Sequence, residues 1–259
     1  MGQTIPAATL GRLRKLNLAM GLLHLAQGIA MLLLSSGFAL PVTTSFLEFD
    51  PAAGRLEPVT ETLFDLRIGP LVALFLFLSA IAHFCLAAPG INGWYNRNLQ
   101  KGVNYARWME YALSSSVMIV VIVMLTGMYD AVSLMLIFSL NATMILFGWM
   151  MERHNQTTQK ADWTSYWFGC LAGAVPWVAV ALYLFGSGGE GGGPPAFVYW
   201  IFFSIFIFFN VFAVNMALQY KKVGPWRDYV FGERMYIVLS LVAKSLLAWQ
   251  VWAGTLRPV

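Results

Sequence analysis

Seven apolar stretches, each long enough to cross a lipid bilayer, constrain the fold of this 259-residue chain. A run of about 20 apolar residues spans the hydrocarbon core of a membrane as one helix. Only 11% of the residues are charged, against about 25% in ordinary soluble domains. The chain is therefore predicted to be an all-α integral membrane protein, a bundle of seven transmembrane helices forming a single domain over residues 1–259. The predicted spans are 16–37, 68–88, 104–127, 131–151, 163–185, 196–218 and 235–254.

Basic side chains lie mainly on one side of this predicted bundle. Twelve of them, with Arg107 included, fall on the side of the N-terminus, and three, in the loops and tail, fall on the other. An excess of Lys and Arg marks cytoplasmic loops. We therefore expect a multi-pass protein of the cell membrane with inverted topology, its N-terminus cytoplasmic and its C-terminus extracellular. Because the basic residues are divided among short loops, we do not expect nucleic-acid binding.

The connection between the first two spans is the only long one, at about 30 residues. Its length and acidic composition suggest a first external loop with β structure, which would serve as a contact or lid element. The glycine-rich segment 186–195 lacks the Gly-Lys-Ser/Thr ending of a phosphate loop and is expected to be a flexible turn. Cys85 and Cys170 both lie inside apolar runs, so we expect reduced core residues rather than a disulfide or a metal cluster.

Lys244 lies ten residues past Arg234 in the last apolar run, which places it about 15 Å deep in a helix. A lysine at mid-membrane costs about 2.5 to 3.5 kcal/mol, so it requires a function and a partner. Glu110, the only carboxylate that we expect at a similar depth, is the predicted partner. Ser240 precedes the lysine by one helical turn and shares its face. The alternative is a structural Lys–Glu pair that only holds two helices together.

The sequence around these residues resembles that of the microbial rhodopsin superfamily, and very closely that of the heliorhodopsins. The resemblance covers nearly the whole chain and rests on EYALSSSVMIV (110–120), ILFGW (145–149), WFGC (167–170), VPW (175–177), GER (232–234), YIVLSLVAKS (236–245) and AWQ (248–250). It implies all-trans retinal bound covalently to Lys244 as a protonated Schiff base. It also implies Glu110 as the counterion and Ser240 as a hydrogen-bonding neighbour.

The same resemblance implies an apolar slot for the retinal and a polar cavity beside it. The predicted slot residues are Ser114, Met118, Asn141, Ile145, Gly148, Trp167, Phe168, Phe206, Phe209 and Trp249. The polar cavity is expected to contain His24, Gln27 and His83, which would receive or delocalise the proton that leaves the Schiff base. No metal site is expected, because the two histidines lack a convincing third ligand.

Two absences favour a sensor over a pump. Light-driven proton pumps of the superfamily typically carry a second carboxylate one turn before the retinal lysine and a proton donor eleven residues after the first counterion. Here those positions are Ser240 and Val121. We expect a photoreceptor with a slow photocycle, not an enzyme, which signals by conformational change as a homodimer to an unidentified partner. The alternatives are a light-driven or light-gated ion transporter and a photo-inert scaffold or regulator of a soluble enzyme.

Overall fold

The computed structural model describes residues 4–186 and 193–257, which form eight α-helices and one β-hairpin. The elements are α1 (Ala7–Leu34), β1 (Ala39–Asp50), β2 (Arg55–Arg67), α2 (Ile68–Ala87), α3 (Ile91–Gln100), α4 (Tyr105–Leu125), α5 (Ala131–His154), α6 (Thr164–Gly186), α7 (Ala196–Tyr220) and α8 (Tyr229–Val251). All of these helices except α3 are long and apolar enough to cross a membrane. The predicted bundle of seven spanning helices is confirmed.

Two helices extend well beyond the spans predicted for them. α1 begins at Ala7 rather than at position 16, and α8 begins at Tyr229 rather than at position 235. The hydropathy pattern shows where the side chains become polar. A helix can continue past that point, because its backbone hydrogen bonds do not depend on apolar side chains. Asp228 then sets the start of α8, because its carboxylate accepts a hydrogen bond from the amide of Val230 at 2.9 Å.

α3 is a short helix that the apolar pattern did not predict. Its ten residues, INGWYNRNLQ, are too few and too polar to span a bilayer. They are amphipathic, however: Tyr95 and Leu99 are buried on one face, while Trp94 and Arg97 are exposed on the other. α3 therefore packs against the end of the bundle, on the side of the N-terminus, between α2 and α4.

The expected β structure of the first long loop is confirmed. β1 and β2 form an antiparallel hairpin from the Ala39–Arg67 pair to the Asp50–Arg55 pair, with a bulge between Val42 and Thr43. The hairpin is attached to the α4–α5 connection by Thr43, whose amide donates to the carbonyl of Tyr129 at 2.9 Å. Its role as a contact or lid element stays a prediction.

The structure corrects several details inferred from composition. Arg107, which was counted with the basic residues on the side of the N-terminus, is buried in α4. Cys85 is exposed on the surface of α2 rather than buried in the core, and Cys170 is half-buried; both are free thiols. Most of the glycine-rich segment 186–195 lies outside the described residues. The side of the bundle that faces the cytoplasm stays a prediction from the charges.

Candidate functional site

Lys244 and Glu110 meet at the junction of α8, α4 and α2. The Lys244 ammonium is buried and donates to Glu110 Oε1 at 2.9 Å and to Ser240 Oγ at 2.8 Å. Ser79 on α2 donates to the same carboxylate oxygen at 2.6 Å. The spacing of four residues places Ser240 and Lys244 on one face of α8, so three helices contribute to a single polar contact. The two residues predicted as partners are therefore in direct contact.

A cavity of about 280 Å³ begins at this lysine and extends between α4, α5, α6, α7 and α8. Six of the predicted slot residues line it: Ser114, Met118, Ile145, Gly148, Phe206 and Phe209. Lys244 and Ser240 also lie in its wall, whereas Glu110 borders a separate, smaller cavity. The large cavity is thus mostly apolar, with an amine at one place in its wall. Such a space suits an apolar ligand with a polar group near the amine.

Several wall residues were not predicted from the sequence. They are mostly aromatic or methionine side chains: Trp108, Tyr111, Met144, Trp177, Phe212, Met216 and Tyr236. Trp177 packs edge-on against the rings of Phe206 and Phe209, with centroids 5.3 and 5.4 Å apart. The VPW block contains this tryptophan and was the available signal for it. Tyr111 and Tyr236 likewise stand in the quoted blocks 110–120 and 236–245, whereas abundant aromatic and methionine residues elsewhere in the chain masked the other four.

Four of the predicted slot residues lie outside this wall. Trp167 and Phe168 are 64% and 53% exposed. Successive residues of an α-helix are about 100° apart, so these two point away from the α6 face that carries Gly169, Cys170 and Gly173 into the cavity.

Asn141 and Trp249, the other two, bond to neighbouring helices instead. The Asn141 amide donates to Ser115 Oγ at 2.8 Å and to Ser116 Oγ at 3.0 Å on α4. Trp249 Nε1 donates to Gln27 Oε1 at 3.1 Å on α1. These contacts engage both Asn141 and Trp249 in helix packing. They also remove Gln27 from the polar cavity in which it was expected.

The two predicted histidines lie together beside Glu110. His24 and His83 stack with their ring centroids 5.6 Å apart and the planes 13° from parallel. His83 Nδ1 is 2.7 Å from Asn17 Oδ1, while neither ring nitrogen of His24 has a hydrogen-bond partner in the described protein. Buried polar atoms normally have a partner, which is often an ordered water. His83, Asn17 and Glu110 also line a cavity of about 30 Å³, which is the size for one or two waters.

A second buried ionic cluster was missed in the sequence. The Arg107 guanidinium donates through Nη1 to Glu233 and through Nη2 to Glu152, and all three side chains are buried. Asn104 Nδ2 donates to Glu233 Oε2 at 2.8 Å, and Trp108 Nε1 donates to Glu152 Oε2 at 2.6 Å. The expectation that Glu110 is the only buried carboxylate of the helices is therefore wrong. These charges lie near helix ends, where a hydropathy pattern indicates surface, and only the GER block marked one of them.

In the described part of the chain, no group of three or more His, Cys, Asp or Glu side chains could hold a metal ion. His154, at the end of α5, is exposed and has its Nε2 atom 3.3 Å from Asp162 Oδ2. The polar chemistry described here is therefore carried by the Lys244–Glu110 contact, the histidine pair and the Arg107 cluster.

Comparisons with known proteins agree with this architecture. A light-driven proton pump from Leptosphaeria maculans superposes with a TM-score of 0.64 at 14% identity, over 97% of each chain. The transmembrane domain and linker region of a rhodopsin phosphodiesterase from Salpingoeca rosetta superposes with a TM-score of 0.65 at 12% identity, over 93% of this chain and 70% of that one. At these identities the likeness shows the fold alone, which is that of the microbial rhodopsins. The comparison with curated proteins found no match.

The family comparison is more specific than the fold. The heliorhodopsin family model matches residues 13–256, which is nearly the whole chain and includes α1 from its second turn onward, the hairpin and the other six spanning helices. The expectation drawn from the sequence blocks is confirmed. Rhodopsins of this kind carry retinal on a lysine. The chain belongs to the heliorhodopsin family and is a multi-pass membrane protein of the retinal photoreceptor kind.

Proposed function

We propose that this protein is a light sensor that holds all-trans retinal on Lys244 as a protonated Schiff base, with Glu110 as the counterion. The observation that carries the proposal is the position of the Lys244 amine, in the wall of the aromatic cavity and 2.9 Å from Glu110 Oε1. The other five lysines are exposed. Lys244 alone among them combines burial, an acidic partner and an adjoining apolar space.

The walls of the cavity fit a long, narrow polyene. A side chain on Gly148 would approach Trp108 Cζ3 to 2.5 Å, so the wall closes tightly over this glycine. Trp177 of α6 packs with Phe206 and Phe209 of α7 to form an aromatic wall. Retinal in this space would supply absorption of visible light and a light-driven change of shape. The residues of the chain would orient it, exclude water and hold the proton at Lys244 Nζ.

The proton is expected to leave and return on one side of the retinal lysine. Glu110, His83 and Asn17 surround the small cavity, and His24 stacks on His83. Ser240 and Val121 occupy the positions at which proton pumps place relay carboxylates, and Val121 is fully buried in an apolar cluster. A proton that returns by its outward route gives no net transport. We therefore infer a slow photocycle that signals without pumping.

The transporter alternative requires a continuous polar path, and the buried core argues against one. On the far side of Lys244 from Glu110, α4 contributes Ile119, Ile122 and Met124 to a cluster with Met31 of α1 and Val251 of α8. An ion would have to cross this apolar region unsolvated, at a high cost. A photo-inert scaffold or an enzyme regulator shares these features and differs only in lacking a light response.

The proposal also covers the membrane topology of the protein, its dimer and its signalling partner. The excess of basic residues on the side of the N-terminus favours an inverted topology, with that side in the cytoplasm. We propose a homodimer that transmits a conformational change to an unidentified partner, without enzymatic activity of its own. A tag on Met1 should be hidden from membrane-impermeant reagents on intact cells, and a tag after Val259 should be labelled. The reverse pattern would refute the topology.

The covalent assignment is tested with protein purified in the presence of all-trans retinal. Borohydride reduction of the coloured protein should leave a retinyl group on the peptide that contains Lys244. The Lys244→Ala variant should fold but remain colourless, whereas the exposed-lysine control Lys15→Ala should keep its visible band. A retinal-linked band that survives in Lys244→Ala would refute the assignment.

The absence of pumping is tested in vesicles or cells under illumination. We expect neither a steady pH change that responds to an uncoupler nor a stationary photocurrent at zero voltage. Lys244→Ala is the control, because it removes the light response without removing the bundle. A sustained signal in the wild type that disappears in Lys244→Ala would favour the transporter.

A further inference from the structure

The corner of the bundle formed by α3 and the start of α1 carries cations and no carboxylate. Its exposed basic side chains are Arg12, Arg14, Lys15, Arg97 and Lys101. The segments 4–20 and 88–104, which form this corner, contain neither Asp nor Glu. On the same side of the bundle, by contrast, Arg153 and Lys160 accompany Asp162 in the α5–α6 connection, and Arg227 is followed by Asp228. The segments that form the α1–α3 corner therefore contribute exposed cations and no carboxylate, and Glu233 of α8, which lies near Tyr95, is buried and paired with Arg107.

α3 also carries the side chains of a helix that lies in a membrane interface. Ile91 and Trp94 are 42% and 40% exposed, and Arg97 and Lys101 continue the same exposed face at three- and four-residue spacing. Apolar side chains beside cations on one exposed face are typical of helices at the boundary between headgroups and acyl chains. The opposite face of α3 is occupied by Tyr95 and packs against the bundle.

An aromatic row indicates the level at which α3 lies. The Trp94 ring is 6.2 Å from that of Tyr105, the first residue of α4, and Tyr105 packs edge-on at 5.6 Å against Trp149 near the end of α5. Trp and Tyr are enriched at the headgroup level of membranes. Three such rings on three consecutive helices favour this level for the outer face of α3, where its cations would meet lipid phosphates.

We propose that α3 and the first turns of α1 form a binding surface for the headgroups of anionic phospholipids. Trp94 and Ile91 anchor this surface in the interface, and Arg97, Lys101 and the cations of α1 contact the phosphates. Arg14 of α1 lies close to the start of α3, because its Nε donates to the carbonyl of Ala87 at the end of α2 at 2.8 Å. Its side chain nevertheless remains exposed. Juxtamembrane clusters of four to eight Lys or Arg residues are the usual recognition element for such lipids.

The test titrates the purified protein, in a neutral detergent, with short-chain phosphatidylglycerol and with phosphatidylcholine. Each basic residue near an anionic surface contributes about fivefold to binding, so Arg97→Gln with Lys101→Gln should weaken phosphatidylglycerol binding by about twentyfold or more. The matched control is Arg153→Gln with Lys160→Gln, which removes the same charge from the other part of the same side. We expect the control to bind like the wild type, and phosphatidylcholine to bind weakly to all three.

Additional variants and competing ligands in the same titration identify the kind of anion that binds to this surface. Trp94→Ala should weaken phosphatidylglycerol binding while leaving the net charge unchanged, and inorganic phosphate at millimolar concentration should compete poorly. Equal losses in the double variant and its control would overturn the proposal in favour of general charge attraction. Tight binding of an acidic peptide, with Trp94→Ala indistinguishable from wild type, would favour a protein partner instead and also overturn it. The titration needs neither retinal nor light, so its outcome is independent of the proposed function.

Discussion

The two buried ionic sites of this bundle differ in how completely their acids are satisfied. At the Arg107 cluster, both oxygens of Glu152 and both of Glu233 accept hydrogen bonds from side chains or amides. At Lys244, by contrast, the bonds from Ser79 and from the ammonium both go to Oε1 of Glu110. We call the first site closed, because both its carboxylates are fully paired, although Arg107 Nε has no partner among the described residues. We call the second site open, because the bonds from Ser79 and Lys244 leave Oε2 of Glu110 for water or for the nearby Ser114 hydroxyl. A buried charge network can thus be structural in one layer and reactive in the next.

The largest effect is expected from breaking the closed site. Arg107→Gln leaves two buried carboxylates without their cation, and removing one partner of a buried pair typically costs about 3 to 5 kcal/mol. We expect a much lower thermal denaturation temperature in detergent. Arg153→Gln, at an exposed position, should change stability by less than about 0.5 kcal/mol. Equal stability of the two variants would show that the cluster does not hold α4, α5 and α8 together.

Neutralising Glu110 in the open site should affect the visible absorption band more than the stability of the fold. In Glu110→Gln the cation at Lys244 loses its negative partner, so the visible band should move to longer wavelength. The band should also disappear on alkaline titration at a pH about 1 to 3 units below that of the wild type. Glu152→Gln is the control that removes a carboxylate from the closed site and should leave both values nearly unchanged. Identical spectra for Glu110→Gln and the wild type would require another counterion.

These two sites also show what the sequence could predict. The depth of Lys244 and Glu110 within apolar runs was sufficient to pair them, because a lone charge at mid-membrane has few possible partners. The Arg107 cluster lies within a few residues of helix starts and ends, where polar composition is ambiguous between a solvated surface and a buried network. Distinguishing the two requires knowing which helices converge there, and the sequence of one helix does not contain that information.

The cavity wall shows the same limit in another form. Sequence blocks identified the helices that line it, but Trp167 and Phe168 were assigned to a face that belongs to Gly169 and Cys170. An apolar helix in a membrane has apolar side chains all round, so periodicity does not reveal which face is inward. α3 was missed for the related reason that a ten-residue amphipathic helix gives no spanning signal.

A smaller effect is expected from the hydroxyl that shares the open site. Ser79→Ala removes the 2.6 Å bond to Glu110 Oε1, and hydrogen bonds to charged groups contribute about 1.5 to 3 kcal/mol. The denaturation temperature should fall by less than in Arg107→Gln. Ser204→Ala, whose hydroxyl bonds mainly to neutral groups of α7, is the control for losing a serine. A loss in Ser79→Ala no larger than in Ser204→Ala would mean that the ammonium alone satisfies the carboxylate.

The smallest effect is expected at Asp130, a half-buried acid outside the spans. Asp130 caps α5, and the bonds from the Ser133 hydroxyl and amide hold its pKa below the ordinary value. A lowered folded pKa stabilises the protein above the unfolded pKa of about 3.9, and this contribution is lost as pH falls through the folded value. Asp130→Asn keeps a cap without titrating. Thermal denaturation should therefore show a small difference from wild type at neutral pH that shrinks on acidification; a constant difference would contradict this.

The two ion pairs between α4 and α8, Arg107–Glu233 and Glu110–Lys244, have a consequence for how the protein is inserted into the membrane. α8 carries Glu233 and Lys244, and it has the lowest mean hydropathy of the seven spans, 1.5. Alone in a bilayer its lysine would cost about 2.5 to 3.5 kcal/mol. α4 is synthesised well before α8 and presents Arg107 and Glu110 at the matching depths. α8 therefore enters a membrane that already contains its partners on α4, and their contacts with Glu233 and Lys244 offset the insertion cost of these two charges.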